Sequence, residues 1–308
     1  MGTSQGTQSL REQEPTLSVV GLGCNNFGMK IDEAASAAVI GAALDAGVTH
    51  FDTAEMYGGG KSEEFLGRAL ASRRDEAFIA TKFSPLPKDA AREPGALAAR
   101  AREALEQSLT RLGTDHVDLY YQHYADPDVP VEEVIEVMQA FLDEGKVRHG
   151  ARSNLDPADL EAGAAVTEAV QIEWNLLERQ VESTVVPVAE RLGIGVVPYF
   201  PLASGLLTGK YRKGEPFPEG SRLDAMSYFA GIATDDNMER VERLLAFAEG
   251  EGHSLLELAV AWLAAQPSVV SVICGATSPE QVRANATAAA WELTPEQLAE
   301  IDACLTLD

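Results

Sequence analysis

Four ionisable side chains gather where three successive apolar runs end. Asp52 follows "VTHF", Lys82 follows "FIAT", His123 follows "VDLYYQ", and Tyr57 stands five residues beyond Asp52. A phenol is a poor proton donor or acceptor near neutrality, because its ordinary pKa is about 10. An ammonium roughly 4 Å away, at an effective dielectric near 20, contributes about 4 kcal/mol, a shift of around three units. Lys82 beside Tyr57 is therefore expected to bring the phenol down toward the working range for proton transfer. Asp52 would keep Lys82 charged and in place, and His123 would orient or polarise a substrate oxygen. Such a group suits protonation of an alkoxide as a carbonyl is reduced. Each residue alone has a plainer reading: a turn cap for Asp52, a surface ammonium for Lys82, a structural imidazole for His123, a loop aromatic for Tyr57. Their joint position at consecutive strand ends is the signal, since perturbed groups cluster at sites.

The elements around them must bring those ends to one rim. Short apolar runs such as "LSVVGLG", "AFIATK" and "IGVVPYF" alternate with longer amphipathic ones along the whole chain. In "PGALAARAREALEQSLTRLG", Leu97, Ala101, Leu105, Leu109 and Leu112 share one helical face before Gly113. Eight strand candidates alternating with helices, with no linker between them, predict a parallel sheet closed into a (β/α)8 TIM barrel, an α/β fold in one domain over 16–308. The alternative is an open doubly wound sheet. Its clue, "VVGLGCNNFG", has Asn26 where a dinucleotide fingerprint needs its third glycine. Residues 1–15 read as a disordered polar tail. The aperiodic stretch 206–235 reads as a functional flap over the site.

Composition narrows the partners. The 308 residues carry 48 acidic and 24 basic side chains, a formal charge of -24. A chain so acidic repels nucleic acid and anionic lipid surfaces, so neither is expected as a partner, and no run is long enough to span a bilayer. Three scattered cysteines, Cys24, Cys274 and Cys304, read as reduced thiols of a cytoplasmic protein without a metal site. "YGGGKS" at 57–62 imitates the end of a phosphate-binding loop, but the pattern needs a glycine where Glu55 stands. The run is read instead as the loop after the tyrosine, with Ser62 as the cap of the next helix.

With these blocks in view, the chain resembles the aldo-keto reductase family from "GLGCNNFG" to "SPEQVRAN". "FDTAEMYG", "ATK" and "VDLYYQH" match the family's catalytic blocks and imply Asp52, Tyr57, Lys82 and His123 as its tetrad, with Tyr57 the general acid. The resemblance implies an eight-stranded barrel that binds NADPH across its rim and passes hydride to an aldehyde or ketone, with NADH as the alternative cofactor. It places Ser153, Asn154 and Gln171 on the carboxamide and Tyr199 against the nicotinamide ring. Leu202, Ser204, Gly205, Leu207 and Lys210 would follow the pyrophosphate and ribose. Gly275, Thr277, Gln281 and Asn285 would lie at the adenosine end, with Gly23 and Cys24 as backbone contacts.

Three positions depart from the family pattern. "GARSN" puts Gly150 one place early and Arg152 before the serine, Phe200 replaces a common serine, and Thr277 stands where many members carry a basic residue. Arg283 or Lys210 would then meet a 2′-phosphate. The loops at 24–30, 84–95, 124–130 and 206–235, with Phe27, Met29, Tyr124, Tyr228, Phe229 and Trp291, suggest a partly apolar cleft for a small carbonyl substrate. Two rival classes remain: a nicotinamide-binding redox sensor like the channel β-subunits of this fold, and a lyase using Lys82 as a Schiff-base nucleophile. Neither the substrate nor the oligomeric state is legible.

Overall fold

The computed structural model describes residues 10, 12, 14–225 and 231–307. Eight strands, β1 (Val20–Gly23), β2 (His50–Asp52), β3 (Phe78–Phe83), β4 (Val117–Gln122), β5 (Val147–Ser153), β6 (Ala169–Glu173), β7 (Gly195–Tyr199) and β8 (Val272–Gly275), pair in parallel in the order β7-β6-β5-β4-β3-β2-β1-β8. A parallel bridge between Val196 and Val269 joins the two ends, with Val196 N–H donating to the Ser268 carbonyl at 2.8 Å. The sheet is thus a nearly closed (β/α)8 barrel, as the alternation predicts, and the open-sheet alternative falls.

Residues alternate in and out along each strand. Phe78, Ala80, Leu119, Tyr121, Ala151, Ala169, Val197 and Ile273 pack together inside the ring. The intervening residues, among them Leu22, Phe51, Ile79 and Tyr120, face the helices in a separate apolar layer. The helix Ala96–Leu112 buries the five residues that its periodicity singles out and stops at Gly113, whose φ of 65° is a left-handed cap.

Two expectations change at the ends of this frame. Leu10, inside the stretch read as a polar tail, is fully buried against the interior layer with Leu17. Residues 1–9, 11 and 13 lie outside the described residues. The stretch read as a flap is partly core: Leu206, Leu207, Tyr211 and Leu223 are buried in the large helix-side cluster, and a 3-10 turn spans Ala203–Thr208. Apolar side chains spaced without helical period can still anchor a loop, which the absence of periodicity conceals. Residues 226–230 of that stretch, with Tyr228 and Phe229, lie outside the described residues.

Candidate active site

Alternation decides which residues share the inner face at the carboxyl end. Counting on by two from the inward layer reaches Gly23, Asp52, Lys82, His123, Ser153, Gln171, Tyr199 and Gly275, one for each strand and all within two residues of its carboxyl end.

Lys82 is the pivot. Its side chain is fully buried, and Nζ donates to Asp52 Oδ1 at 2.6 Å and to the Thr53 carbonyl at 2.8 Å. The second oxygen of Asp52 accepts from Gln171 Nε2 at 2.7 Å. The ammonium lies 5.3 Å from the centre of the Tyr57 ring and 5.5 Å from that of Tyr121. Tyr57 meets His123 edge-on at 6.0 Å, and Tyr124, 47% exposed, stacks on the imidazole at 4.6 Å.

The glycines after Tyr57 make its placement feasible. Gly58 and Gly59 take φ of 59° and 65° in a 3-10 turn, and a Cβ on Gly58 would come within 2.7 Å of the Phe27 carbonyl oxygen. Ser62 is not the expected cap. The helix Lys61–Leu70 starts from Gly60 without a side-chain cap, while the buried Ser62 hydroxyl donates to the Cys24 carbonyl at 2.9 Å and lies 2.8 Å from Thr53 Oγ1. It ties the helix to the ends of β1 and β2.

Electrostatics reverses one expectation. Burial pushes the Tyr57 phenol above its ordinary value, and Lys82 offsets only part of that rise. The ammonium is already engaged by Asp52, whose own charge acts on the phenol in the opposite sense. Burial works against the charge on Lys82, but Asp52 prevails and holds it above the usual lysine value. His123 is lowered to about 4, first by burial and then by Lys82, so its ring is neutral at neutral pH. Its Nδ1 is buried without a hydrogen-bond partner among the described residues.

The next strands form a second linked group. Asn154 turns the chain with φ 56° and donates through Nδ2 to the His123 carbonyl at 3.0 Å. It accepts at Oδ1 from the Tyr199 hydroxyl at 2.8 Å. Ser153 Oγ donates to the Gln171 carbonyl at 2.9 Å. Beyond Tyr199, Phe200, Ala203 and Ser204 also take positive φ, followed by Gly205. All four non-glycine residues of left-handed backbone among the described residues therefore fall in the segments that the resemblance assigns to a cofactor. Such conformations cost about 1–3 kcal/mol each and recur at ligand clamps.

Other expected contacts differ in what they can offer. The Leu207 side chain is buried in the core and leaves only its backbone, Leu202 is half-buried, and Ser204 is largely covered. Lys210 is exposed, its Nζ 5.1 Å from the Tyr211 ring centre. Gly23 pairs with Asp52 and Gly275, and Cys24 N–H donates to the Asp52 carbonyl at 2.8 Å. Thr277 N–H donates to Gln281 Oε1 at 2.8 Å, and Asn285 Nδ2 to the Gly275 carbonyl at 3.4 Å. Of the aromatic set, Phe27 is core, while Trp291 stacks on His253 at 4.0 Å. Met29 is exposed, as Met56 is beside Tyr57.

Sequence reasoning missed the ties between the loops at the carboxyl end of the barrel. Glu55 accepts from Ser84 N–H at 2.7 Å and pairs with Arg100, and Arg92 pairs with Asp126 at 3.1 Å. Glu55, Arg92 and Asp126 sit in loops without periodicity, and Arg100 lies on a helix whose apolar period says nothing of its polar partners, so no pattern links them.

Residues 19–306 match the model of the Aldo/keto reductase family. The chain is 36% identical over 279 residues to aldo-keto reductase YhdN of Bacillus subtilis (strain 168), covering 89% of this chain and 84% of that protein. It is 35% identical over 300 residues to a probable voltage-gated potassium channel subunit beta of Oryza sativa subsp. japonica, covering 90% and 89%. Among solved structures it is similar to the glycerol dehydrogenase AKR11B4 from Gluconobacter oxydans, with TM-score 0.81 and 30% identity over 95% of this chain and 94% of that one.

Proposed function

Because the chain belongs to the aldo/keto reductase family, whose members generally carry out NAD(P)H-dependent carbonyl reduction, we propose that it reduces an aldehyde or ketone to an alcohol with NADPH, Tyr57 being the general acid. The observation that carries this reading is the sealed Lys82, bonded to Asp52 at 2.6 Å and held beneath the Tyr57 ring. A buried ammonium beside a phenol serves proton transfer; it contributes little else that an apolar residue would not contribute better.

The cofactor, when bound, supplies the hydride that adds to the carbonyl carbon. Tyr57 gives its phenolic proton to the carbonyl oxygen, and its raised pKa keeps that proton in place until the oxygen becomes basic. Lys82 stabilises the phenolate left behind, while Asp52, the Thr53 carbonyl and Gln171 hold the ammonium in one position. The neutral His123 has no acceptor for a proton at Nδ1 among the described residues, so its ring proton is best held at Nε2, from which it can donate to the same oxygen. Asn154, Ser153 and Gln171 would hold the carboxamide and Tyr199 the ring. The left-handed backbone at Phe200 and at Ala203, Ser204 and Gly205 supports this fit, because such strained conformations recur where a chain clamps a ligand. The adenosine end would lie along Gly275, Thr277, Gln281 and Asn285. Three free cysteines, two of them buried, fit a reducing cytoplasmic setting.

Absorbance of NADPH across a panel of aldehydes and ketones, with wild type and Tyr57→Phe, tests the proposal. Wild type is expected to turn over. The variant should bind NADPH normally and lose about 10²–10⁴-fold in kcat. A variant with wild-type turnover would remove Tyr57 as the acid. NADPH binding without turnover of any carbonyl would favour a sensory role instead.

A further inference from the structure

Arg152, the departure in "GARSN", is 2% exposed, and both its hydrogen-bond acceptors are uncharged. Nε donates to Gln122 Oε1 at 2.9 Å, across the ladder in which Gln122 and Arg152 are register partners. Nη1 donates to the Asp159 carbonyl at 2.6 Å, inside the helix Pro157–Ala162. The guanidinium therefore ties Arg152, which precedes the turn at Asn154, to Asp159, which follows it, and to the residue immediately before His123. Room for it is built in: a Cβ on Gly163 would lie 2.2 Å from Nη1. A buried guanidinium whose hydrogen-bond acceptors are all neutral, with the charge of Asp159 offsetting only part of the cost of burial, is an expensive way to fill space, and a residue present for packing alone would be apolar.

We propose that Arg152 is a positioning residue that staples the two ends of the Asn154 turn and fixes Asn154 against His123. The turn needs such a staple because Asn154 holds φ 56°, a conformation that persists only where its surroundings impose it. The Asn154 side chain spans from the His123 carbonyl to the Tyr199 hydroxyl, so a small drift of the turn moves its amide relative to both. Arg152 thereby aligns the residue that would hold the carboxamide with the residue that would hold the substrate oxygen. The inference rests on the functional reading of Asn154 and His123 given above.

The full-chain Arg152→Met variant tests it by three readouts. In the protein without cofactor, amide exchange at Asn154 and its neighbours, whose N–H donates to the Gln171 carbonyl at 3.1 Å, should quicken while the β3 and β4 strands stay protected. NADPH affinity, by fluorescence titration, should fall about tenfold. The pH profile of kcat should not move, because Tyr57 and Lys82 are untouched. Gln122→Met, which cuts only the cross-strand arm, should act in the same direction with a smaller effect, and it decides the matter if Arg152→Met does not fold. Wild-type exchange and wild-type NADPH affinity would overturn the proposal. So would local quickening with unchanged affinity, or uniform quickening across the barrel with a proportionate drop in Tm. If the unmutated protein binds neither NADPH nor NADH, the functional reading fails, while exchange at Asn154 still judges the staple.

Discussion

Two carboxylates are buried at opposite ends of the barrel and are neutralised in opposite ways. Asp118, near the amino end of β4, accepts from Arg74 and Arg148, each at 2.8 Å, and from the Ile79 N–H at 2.8 Å. Its cations reach solvent, with side chains 17% and 42% exposed, and both of its oxygens are spoken for. Asp52, at the carboxyl end of β2, meets a cation that is itself sealed, and that cation faces a phenol. In the first case water screens the charges and the cluster ties strands together. In the second the field has nowhere to go except Tyr57 and the cavity. Burial of the cation, more than burial of the carboxylate, separates a stabilising cluster from a chemical one.

Breaking each cluster should expose that difference. Lys82→Met leaves Asp52 buried and unpaired, so stability should fall by about 3–5 kcal/mol. Reduction should fall by two or more orders of magnitude, of the order expected when general acid catalysis is impaired. Lys82 pulls the phenol down against burial, so its loss should raise the Tyr57 pKa and carry the alkaline limb of any residual pH–rate profile upward. An unmoved limb in a folded variant would deny Lys82 its tuning role. Asp118→Asn should do the reverse. It weakens charge-assisted bonds to partly solvated arginines at a cost of about 2 kcal/mol in urea unfolding, and leaves kcat unchanged. A large loss of kcat there would mean that the two ends are coupled.

How much of this was legible depends on the kind of signal. Asp52, Lys82 and His123 were readable because each follows an apolar strand, and parallel strands of one barrel present their last residues to one rim. The period of "PGALAARAREALEQSLTRLG" fixed the buried face of its helix in the same way. Direction of a pKa was not readable. The attraction of Lys82 follows from its neighbourhood, but the opposing burial of Tyr57 depends on packing by distant chain segments. Ser62 was misread because a serine opening a helix looks the same whether it caps that helix or bonds to Cys24 and Thr53. Leu10 and Tyr211 sit in aperiodic stretches, so their burial had no pattern to announce it. Arg152 was visible only as a departure, and its partners Gln122 and Asp159 come from a neighbouring strand and a following helix.

A gentler probe compares the two ends through histidine. Burial lowers both His50, at the start of β2, and His123, at the cavity, from 6.5 to about 4. The unfolded chain therefore binds protons that the folded chain refuses. Stability is full above about pH 6.5, declines as pH falls toward about 4, and levels below it. At ~1.36 kcal/mol per unit, each ring contributes about 3 kcal/mol to that decline. His50→Asn should remove roughly half of the slope in urea midpoints between those limits. Activity should stay flat with respect to His123 from pH 8 to about 6, where its ring is already neutral. A slope unaffected by His50→Asn would place the proton uptake elsewhere.

The smallest expected effect concerns the part of the rim where the adenosine end of the proposed cofactor would lie, which is open and whose charges are screened. Thr277 replaces the basic residue common in the family and is tied to Gln281 at 2.8 Å. The nearby cation is Arg283, exposed, with Nη1 3.9 Å from Glu280 Oε1. A 2′-phosphate brings about two negative charges into a protein of net charge -24, so it needs a local cation. The first turn of the helix Pro279–Ala288 contributes up to about 1 kcal/mol at an exposed site, and an Arg–phosphate contact about 1.5–3 kcal/mol. Displacing Glu280 costs about 0–1 kcal/mol, as exposed pairs do. The balance favours NADPH by roughly 0.5–4 kcal/mol, a range in which ~1.4 kcal/mol is tenfold in affinity. Arg283→Ala should weaken NADPH by about that factor and leave NADH nearly unchanged. Equal dissociation constants for the two cofactors in the unmutated protein would instead assign Thr277 to dual cofactor use.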